Sequence, residues 1–179
     1  MRKPLSIIVA TEQTGGIGIN NSIPWKIQRD ILFFRNKTTY TSSPDKVNAV
    51  IMGRKTWDSL PNPPLRKRLN IVISTTRVNK KTDEDSDEMY FSTFEKAVKY
   101  CDESLSVESM FVIGGEQLYN YCMKNMLHRL DAVYWTMINR VFERCDCFFS
   151  PSREFFRIFS TVNLEEDLEG EFRILKYER

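Results

Sequence analysis

Val47-Asn-Ala-Val-Ile-Met52 runs directly into Gly53-Arg-Lys-Thr56, and this junction decides the fold. The first six residues are short, near-continuous in apolar character and rich in β-branched side chains, which predicts a strand buried on both faces. Gly53 breaks it, and residues 54–60 predict a short helix stopped by Pro61. The same grammar recurs on both sides. Residues 5–10 (Leu-Ser-Ile-Ile-Val-Ala) and 69–74 (Leu-Asn-Ile-Val-Ile-Ser) predict buried strands, and Met110-Phe-Val-Ile113 predicts a strand that Gly114-Gly115 turns into a helix over 116–124. Helical periodicity runs from Ile27 to about Tyr40 and over 94–101, and short strands are expected at 89–91 and 130–138. Alternating strand and helix favours a parallel sheet with helices on both faces. The Phe-rich tail reads as strands at 155–162 and 172–177 with no helix between them, which predicts an antiparallel edge. Residues 12–25 read as a loop, and 79–88 as a polar surface loop.

The length of 179 residues corresponds to one domain at about 150 residues per domain. With 41% hydrophobic and 28% charged residues, the chain is expected to be globular rather than disordered. A net charge of +2, with Arg66-Lys67-Arg68 as the densest basic stretch, argues against a dedicated nucleic-acid binder. Cys101, Cys122, Cys145 and Cys147 are too scattered for a disulfide framework, and with His128 as the sole histidine no metal site is expected. The apolar run at 5–10 is too short for a signal-peptide core, and no run approaches the ~20 residues of a membrane helix, so a cytoplasmic protein without membrane contact is expected.

Four places carry candidate chemistry. Ile27, Asp30, Ile31 and Phe34 fall at i, i+3, i+4 and i+7, so Asp30 is a carboxylate on an otherwise apolar helix face. It is either a first-turn acid favoured by the helix dipole or the floor of a pocket, where it grips a planar ligand through paired N–H groups. Arg54 and Lys55 open a helix against its dipole; a bound anion such as a phosphate reverses that penalty, and solvated side chains are the plain alternative. Ser74-Thr-Thr76 and Arg77 follow a strand without any carboxylate, which leans toward NADP over NAD, although such hydroxyls also form turns. Gly114-Gly115 permits close approach of a ligand to the backbone, or simply a tight turn. Gly15-Gly-Ile-Gly18 is no dinucleotide fingerprint, since a third glycine in register and a following helix are both missing; it reads as a segment that covers a site. His128 has no nucleophile partner pattern and is given no role.

Taken in order, Ile8-Val-Ala10, Gly16-Ile-Gly18, Ile23-Pro-Trp25, Val50-Ile-Met-Gly-Arg-Lys-Thr-Trp57, Leu69-Asn-Ile-Val-Ile-Ser74 and Ile113-Gly-Gly115 resemble dihydrofolate reductase from about residue 5 to Phe149, with a weaker echo to Tyr177. The resemblance implies a mostly parallel eight-stranded sheet with an antiparallel C-terminal strand and flanking helices. It implies NADPH-dependent reduction of 7,8-dihydrofolate to tetrahydrofolate, without a metal. It implies Asp30 as the carboxylate that binds the pterin N3 and 2-amino group and helps protonate N5, Thr136 as its hydrogen-bond partner, and Trp25 as the holder of an ordered water. Burial among Ile27, Ile31 and Phe34 is expected to raise the pKa of Asp30. Ile8, Val9, Ile31, Phe34, Leu60, Leu65, Ile113 and Tyr119 would line the substrate, and Arg68 would pair with its glutamate α-carboxylate. The cofactor would lie on Ala10, Ile17, Gly18 and Ser22, on Gly53, Arg54, Lys55 and Thr56, on Ser74, Thr75 and Thr76, and on Gly114, Gly115, Glu116, Gln117 and Leu118, with the glycine pair joined by a cis peptide.

The chain departs from that pattern in four places. Asp30 is the shorter acid where many animal relatives carry Glu. Thr75 stands where many vertebrate members place an arginine, with Arg77 two residues on. Asp146-Cys-Phe-Phe-Ser150 replaces D-T-x-F-P, and the acidic loop at 79–88 has no counterpart. Folate and antifolates such as methotrexate or trimethoprim are the expected small-molecule partners. No thymidylate synthase segment follows Arg179, so a stand-alone, monomeric reductase is expected. Related pterin or pyrimidine reductases of the same architecture, and a non-catalytic folate- or nucleotide-binding protein, are the competing readings.

Overall fold

The computed structural model describes residues 2–77, 87–166 and 170–179, so the expected loop at 79–88 falls almost wholly outside the described residues. Ten strands and five helices follow in the order β1 (Leu5–Thr11), β2 (Gly16–Gly18), α1 (Gln28–Thr39), β3 (Val47–Gly53), α2 (Arg54–Ser59), β4 (Arg68–Ile73), β5 (Glu88–Phe91), α3 (Phe94–Glu103), β6 (Val107–Gly114), α4 (Glu116–Asn125), β7 (Ala132–Ile138), β8 (Cys147–Phe148), α5 (Arg153–Ile158), β9 (Ser160–Glu166) and β10 (Phe172–Glu178).

Eight strands form one sheet in the order β5-β4-β3-β6-β1-β7-β10-β9. Every pairing from β5 to β7 is parallel, and β10 runs antiparallel to both β7 and β9. This is the expected α/β architecture. The parallel strands are buried on both sides because strand alternation sends successive residues into two cores. Ile7, Val9, Ala49, Ile51 and Ile71 pack with α3, α4 and α5 on one face. Ile8, Val50, Met52 and Val72 pack with Phe33 and Phe34 of α1 and Trp57 of α2 on the other.

The tail corrects one expectation. Residues 155–162 are not a single strand: α5 is a helix, and the strand begins only at Ser160. The aromatic residues suggested β-propensity, but Ser152 caps a helix by accepting from the Phe155 N–H, and Phe155 and Phe159, four residues apart, stack at 4.9 Å. The loop at 12–25 also holds more structure than expected. β2 within it pairs antiparallel with β8, which was equally unforeseen.

Candidate active site

Parallel strands that end together place their carboxyl ends on one edge of the sheet, where ligands bind in folds of this kind. Ala10, Gly53, Ser74, Gly114 and Thr136 all lie at or near those ends. Ala10 and Thr136 are register partners on β1 and β7 and therefore face the same side.

Asp30 lies in the first turn of α1, one turn from the buried Ile27. The Thr136 hydroxyl donates to its Oδ1 at 2.6 Å. Burial pushes the Asp30 carboxyl above its usual range, and the Thr136 hydrogen bond pulls partly back. The expected direction therefore holds, but not all of its expected cause. Ile31 is 46% exposed and Thr38 is the buried residue of α1, so the predicted apolar face is only partly covered.

The cleft wall comes from Ile8, with half-buried Phe34, Leu60, Leu65 and Ile113 packed around it. Val9 points to the opposite face and joins the other core, as does Leu118, so neither side chain lines this side. Tyr119 belongs to that far core too. Its hydroxyl donates to the Ile8 carbonyl at 2.9 Å and is committed to the scaffold. Trp25 is half-buried and tilted against Phe142 at 5.5 Å.

Arg68 is buried, and its acceptors are neutral. Nε donates to the Arg66 carbonyl at 3.1 Å and Nη1 to the Thr38 hydroxyl at 2.9 Å. No carboxylate of the described residues forms an ion pair with it. Burial lowers its pKa, and the nearby Arg35 charge adds to that. A buried guanidinium without a counter-charge is costly, which suits a group awaiting an anionic ligand. Its neighbours Arg66 and Lys67 are exposed, solvated charges.

Around the edge, the backbone is shaped for a ligand. Gly114 and Gly115 are joined by a cis peptide, as the resemblance implied, and Gly114 has φ +124°. A Cβ on Gly53 would meet Gly114 O and Gly115 N at 3.9 Å, so three glycines face each other across β3 and β6. Gly53 and Gly115 are also the N-cap residues of α2 and α4, and neither helix start has a side-chain cap. By contrast, α3 and α5 are capped by Thr93 and Ser152. Two adjacent uncapped helix starts leave N–H groups free for an anion, so these residues fit a dinucleotide pyrophosphate. Thr56 lies beside Gly115, and Lys55, Glu116 and Gln117 stand in the first turns.

The hydroxyl cluster divides. Ser74 is buried and accepts from the Thr76 and Arg77 N–H groups, which is a turn-forming role, while Thr75 and Thr76 are exposed. Sequence reasoning missed Asp58. It takes Arg54 at 3.0 Å and Arg77 at 2.8 Å, drawing both guanidinium groups to the rim of this edge. It also missed Asp146, whose Oδ2 accepts from the Asn20 N–H at 2.9 Å and ties down the segment carrying Ile17, Gly18 and the exposed Ser22. The i, i+4 spacing of Arg54 and Asp58 was the one local signal available. A separate concavity of about 610 Å³, walled by Trp135, Met137, Phe149 and Phe172 and bordered by Glu12, Thr14 and Gly15, includes none of the expected site residues. No cluster of His, Cys, Asp or Glu among the described residues could hold a metal ion, and no helix is long and apolar enough to cross a membrane.

The comparisons with known proteins agree with this geometry. The family model for dihydrofolate reductase matches residues 4–179. The chain is 35% identical to the dihydrofolate reductase of Drosophila melanogaster over 181 residues, 96% of each chain. It is 37% identical to that of Heliothis virescens over 147 residues, covering 81% of this chain and 78% of the relative. It is also 34% identical to the bifunctional dihydrofolate reductase-thymidylate synthase of Glycine max over 157 residues, 84% of this chain but 29% of that protein. With the α/β sheet, the Asp30–Thr136 pair and the cis glycine pair all in place, the chain belongs to the dihydrofolate reductase family.

Proposed function

We propose that this protein reduces 7,8-dihydrofolate to 5,6,7,8-tetrahydrofolate with NADPH. The observation that carries the reading is the Asp30 carboxyl, raised in pKa by burial and fixed by Thr136, at the floor of an apolar cleft beside the glycine-lined edge. When bound, the cofactor supplies a hydride for C6 of the pterin.

The chain's own residues do the rest. Asp30 accepts the paired N–H groups of the pterin ring, a geometry a carboxylate meets with both oxygens. Burial raises its pKa and so shifts the carboxyl toward its protonated form, which suits protonation at N5. Thr136 holds Oδ1 in one orientation, and Trp25 helps hold an ordered water nearby. Ile8, Phe34, Leu60, Leu65 and Ile113 exclude solvent from the ring and fix its plane. Ile31, exposed at the mouth, covers the benzoyl portion. Arg68 takes the glutamate α-carboxylate, which supplies the counter-charge that its own surroundings lack. The first turns of α2 and α4 take the pyrophosphate, and the cleft accepts methotrexate or trimethoprim by the same carboxylate contact.

The same reading makes residues 1–179 one domain, working in the cytoplasm as a monomer. The test is loss of reduced-nicotinamide absorbance with NADPH, with and without dihydrofolate, and with methotrexate added. Dihydrofolate-dependent oxidation abolished by methotrexate is expected. Tight NADPH binding without oxidation would shift the function to a related reductase or a binding protein.

A further inference from the structure

Glu12 is a buried carboxylate with no cationic partner among the described residues, and it stands outside the catalytic set. It is 1% exposed. Its Oε1 accepts three hydrogen bonds, from the Thr14 N–H at 2.9 Å, the Thr14 hydroxyl at 2.5 Å and the Gly16 N–H at 2.7 Å. Its backbone completes the same turn: the Glu12 N–H donates to Gly16 O at 2.9 Å and the Gly15 N–H to Glu12 O at 3.1 Å. Its Oε2 has no hydrogen-bond partner, and no Lys or Arg of the described residues forms an ion pair with it. Burial pushes the carboxyl up, but the Thr14 hydroxyl and the N–H groups of Gly16 and Thr14 outweigh it, so neutral donors alone hold the carboxyl below its usual range, at the wall of the concavity near Trp135.

A turn does not need this. A small polar residue would close residues 12–16 without a buried charge. What the charge adds is stiffness at one point, since three charge-assisted bonds converge on a single oxygen. That point is Gly16, the first residue of β2. A Cβ there would sit 2.5 Å from Cys145 Sγ and 2.9 Å from Glu12 Oε1, so the carboxylate and the thiol hold this residue from two directions. β2 then continues into Ile17 and Gly18 and pairs with β8. We infer that Glu12 is a positioning residue for the cofactor, anchoring the start of β2 so that Ile17 and Gly18 are presented over the nicotinamide. This rests on the NADPH-dependent reading above.

The test uses the full chain carrying Cys147→Ser, which leaves Cys145 as the one partly exposed cysteine, because Cys101 and Cys122 are fully buried. Glu12→Ala and Glu12→Gln are made in that background. Three quantities are read: the rate at which a disulfide reagent labels Cys145 in the ligand-free protein, the Kd for NADPH by quenching of protein fluorescence, and the two KM values. Loss of the anchor in Glu12→Ala is expected to raise both the labelling rate and the NADPH Kd about tenfold, the equivalent of about one lost charge-assisted bond, with the dihydrofolate KM within about twofold. Glu12→Gln keeps an acceptor at Oε1 and should recover most of both effects. Unchanged labelling and Kd in the two variants would overturn the inference. So would a parallel rise of both KM values that glutamine does not rescue, which marks a general folding defect. If the parent protein binds NADPH and turns over dihydrofolate, such a result condemns Glu12 alone; if the parent does neither, the reductase reading itself has failed.

Discussion

The Thr136 hydroxyl on β7 donates a 2.6 Å hydrogen bond to Oδ1 of Asp30 on α1, across 106 residues of sequence. This bond joins the parallel sheet to α1, fixes the orientation of the carboxyl and partly offsets the effect of burial on its proton affinity. Thr136→Val removes the donor and keeps the shape. Since that hydrogen bond is what lowers the Asp30 pKa against the effect of burial, its loss moves the carboxyl still higher. Turnover of dihydrofolate should fall about tenfold, the worth of one strong hydrogen bond at a reacting group, while the Kd for NADPH stays within about twofold. Steady-state kinetics across pH, with fluorescence titration of the cofactor, checks both.

Asp30 also makes a prediction about stability. Its folded pKa lies above the unfolded value, so between the two the unfolded chain has released a proton that the folded chain retains. Stability therefore falls as pH rises through that window, and above it the folded state carries the full cost of a buried ionised carboxylate. Asp30→Asn should melt at a higher temperature than the parent at neutral pH, and the difference should shrink as pH falls below the ordinary aspartate range. Thermal melts at several pH values read this directly.

Arg68 should behave as a group held ready for a ligand. Its bonds run to the Arg66 carbonyl and the Thr38 hydroxyl, with Arg35 adding repulsion. Arg68→Met is expected to raise the dihydrofolate KM about a hundredfold, from the loss of a paired guanidinium contact, with little loss of melting temperature because an uncompensated buried charge goes with it. Kinetics with dihydrofolate and with a pterin lacking the glutamate should converge in this variant.

Arg77, two residues after Thr75, is paired with Asp58. Asp58 takes it by both oxygens, Nη1 to Oδ1 at 2.8 Å and Nη2 to Oδ2 at 3.3 Å, while also holding Arg54. Two cations on one carboxylate leave a net positive rim, which under the proposed reading would meet the adenosine 2′-phosphate. Arg77→Ala should lower the preference for NADPH over NADH by about tenfold, one charge-assisted contact, without altering the kcat with either cofactor.

The parallel core was legible because strands buried on both faces read as unbroken apolar runs, and Asp30 was legible because a carboxylate interrupts the α1 stripe. Thr136 was accessible only through family resemblance; nothing within Tyr134-Trp135-Thr136 marks a hydroxyl that meets an acid 106 residues away. α5 was misread because Phe155, Phe156 and Phe159 carry strand propensity, while the cap from Ser152 and the stacking of Phe155 on Phe159 decide otherwise. β2 and β8 are too short to show a period, and Glu12 and Asp58 draw their significance from partners that local reading does not connect.

The most direct measurement is a side-by-side assay of the parent protein and Asp30→Asn, with NADPH Kd taken on both and turnover of dihydrofolate followed by loss of reduced-nicotinamide absorbance. Methotrexate-sensitive turnover in the parent, reduced by at least about a hundredfold in Asp30→Asn with the NADPH Kd unchanged, is the predicted result for loss of a group that binds and protonates the pterin. Near-normal turnover in Asp30→Asn would contradict the account.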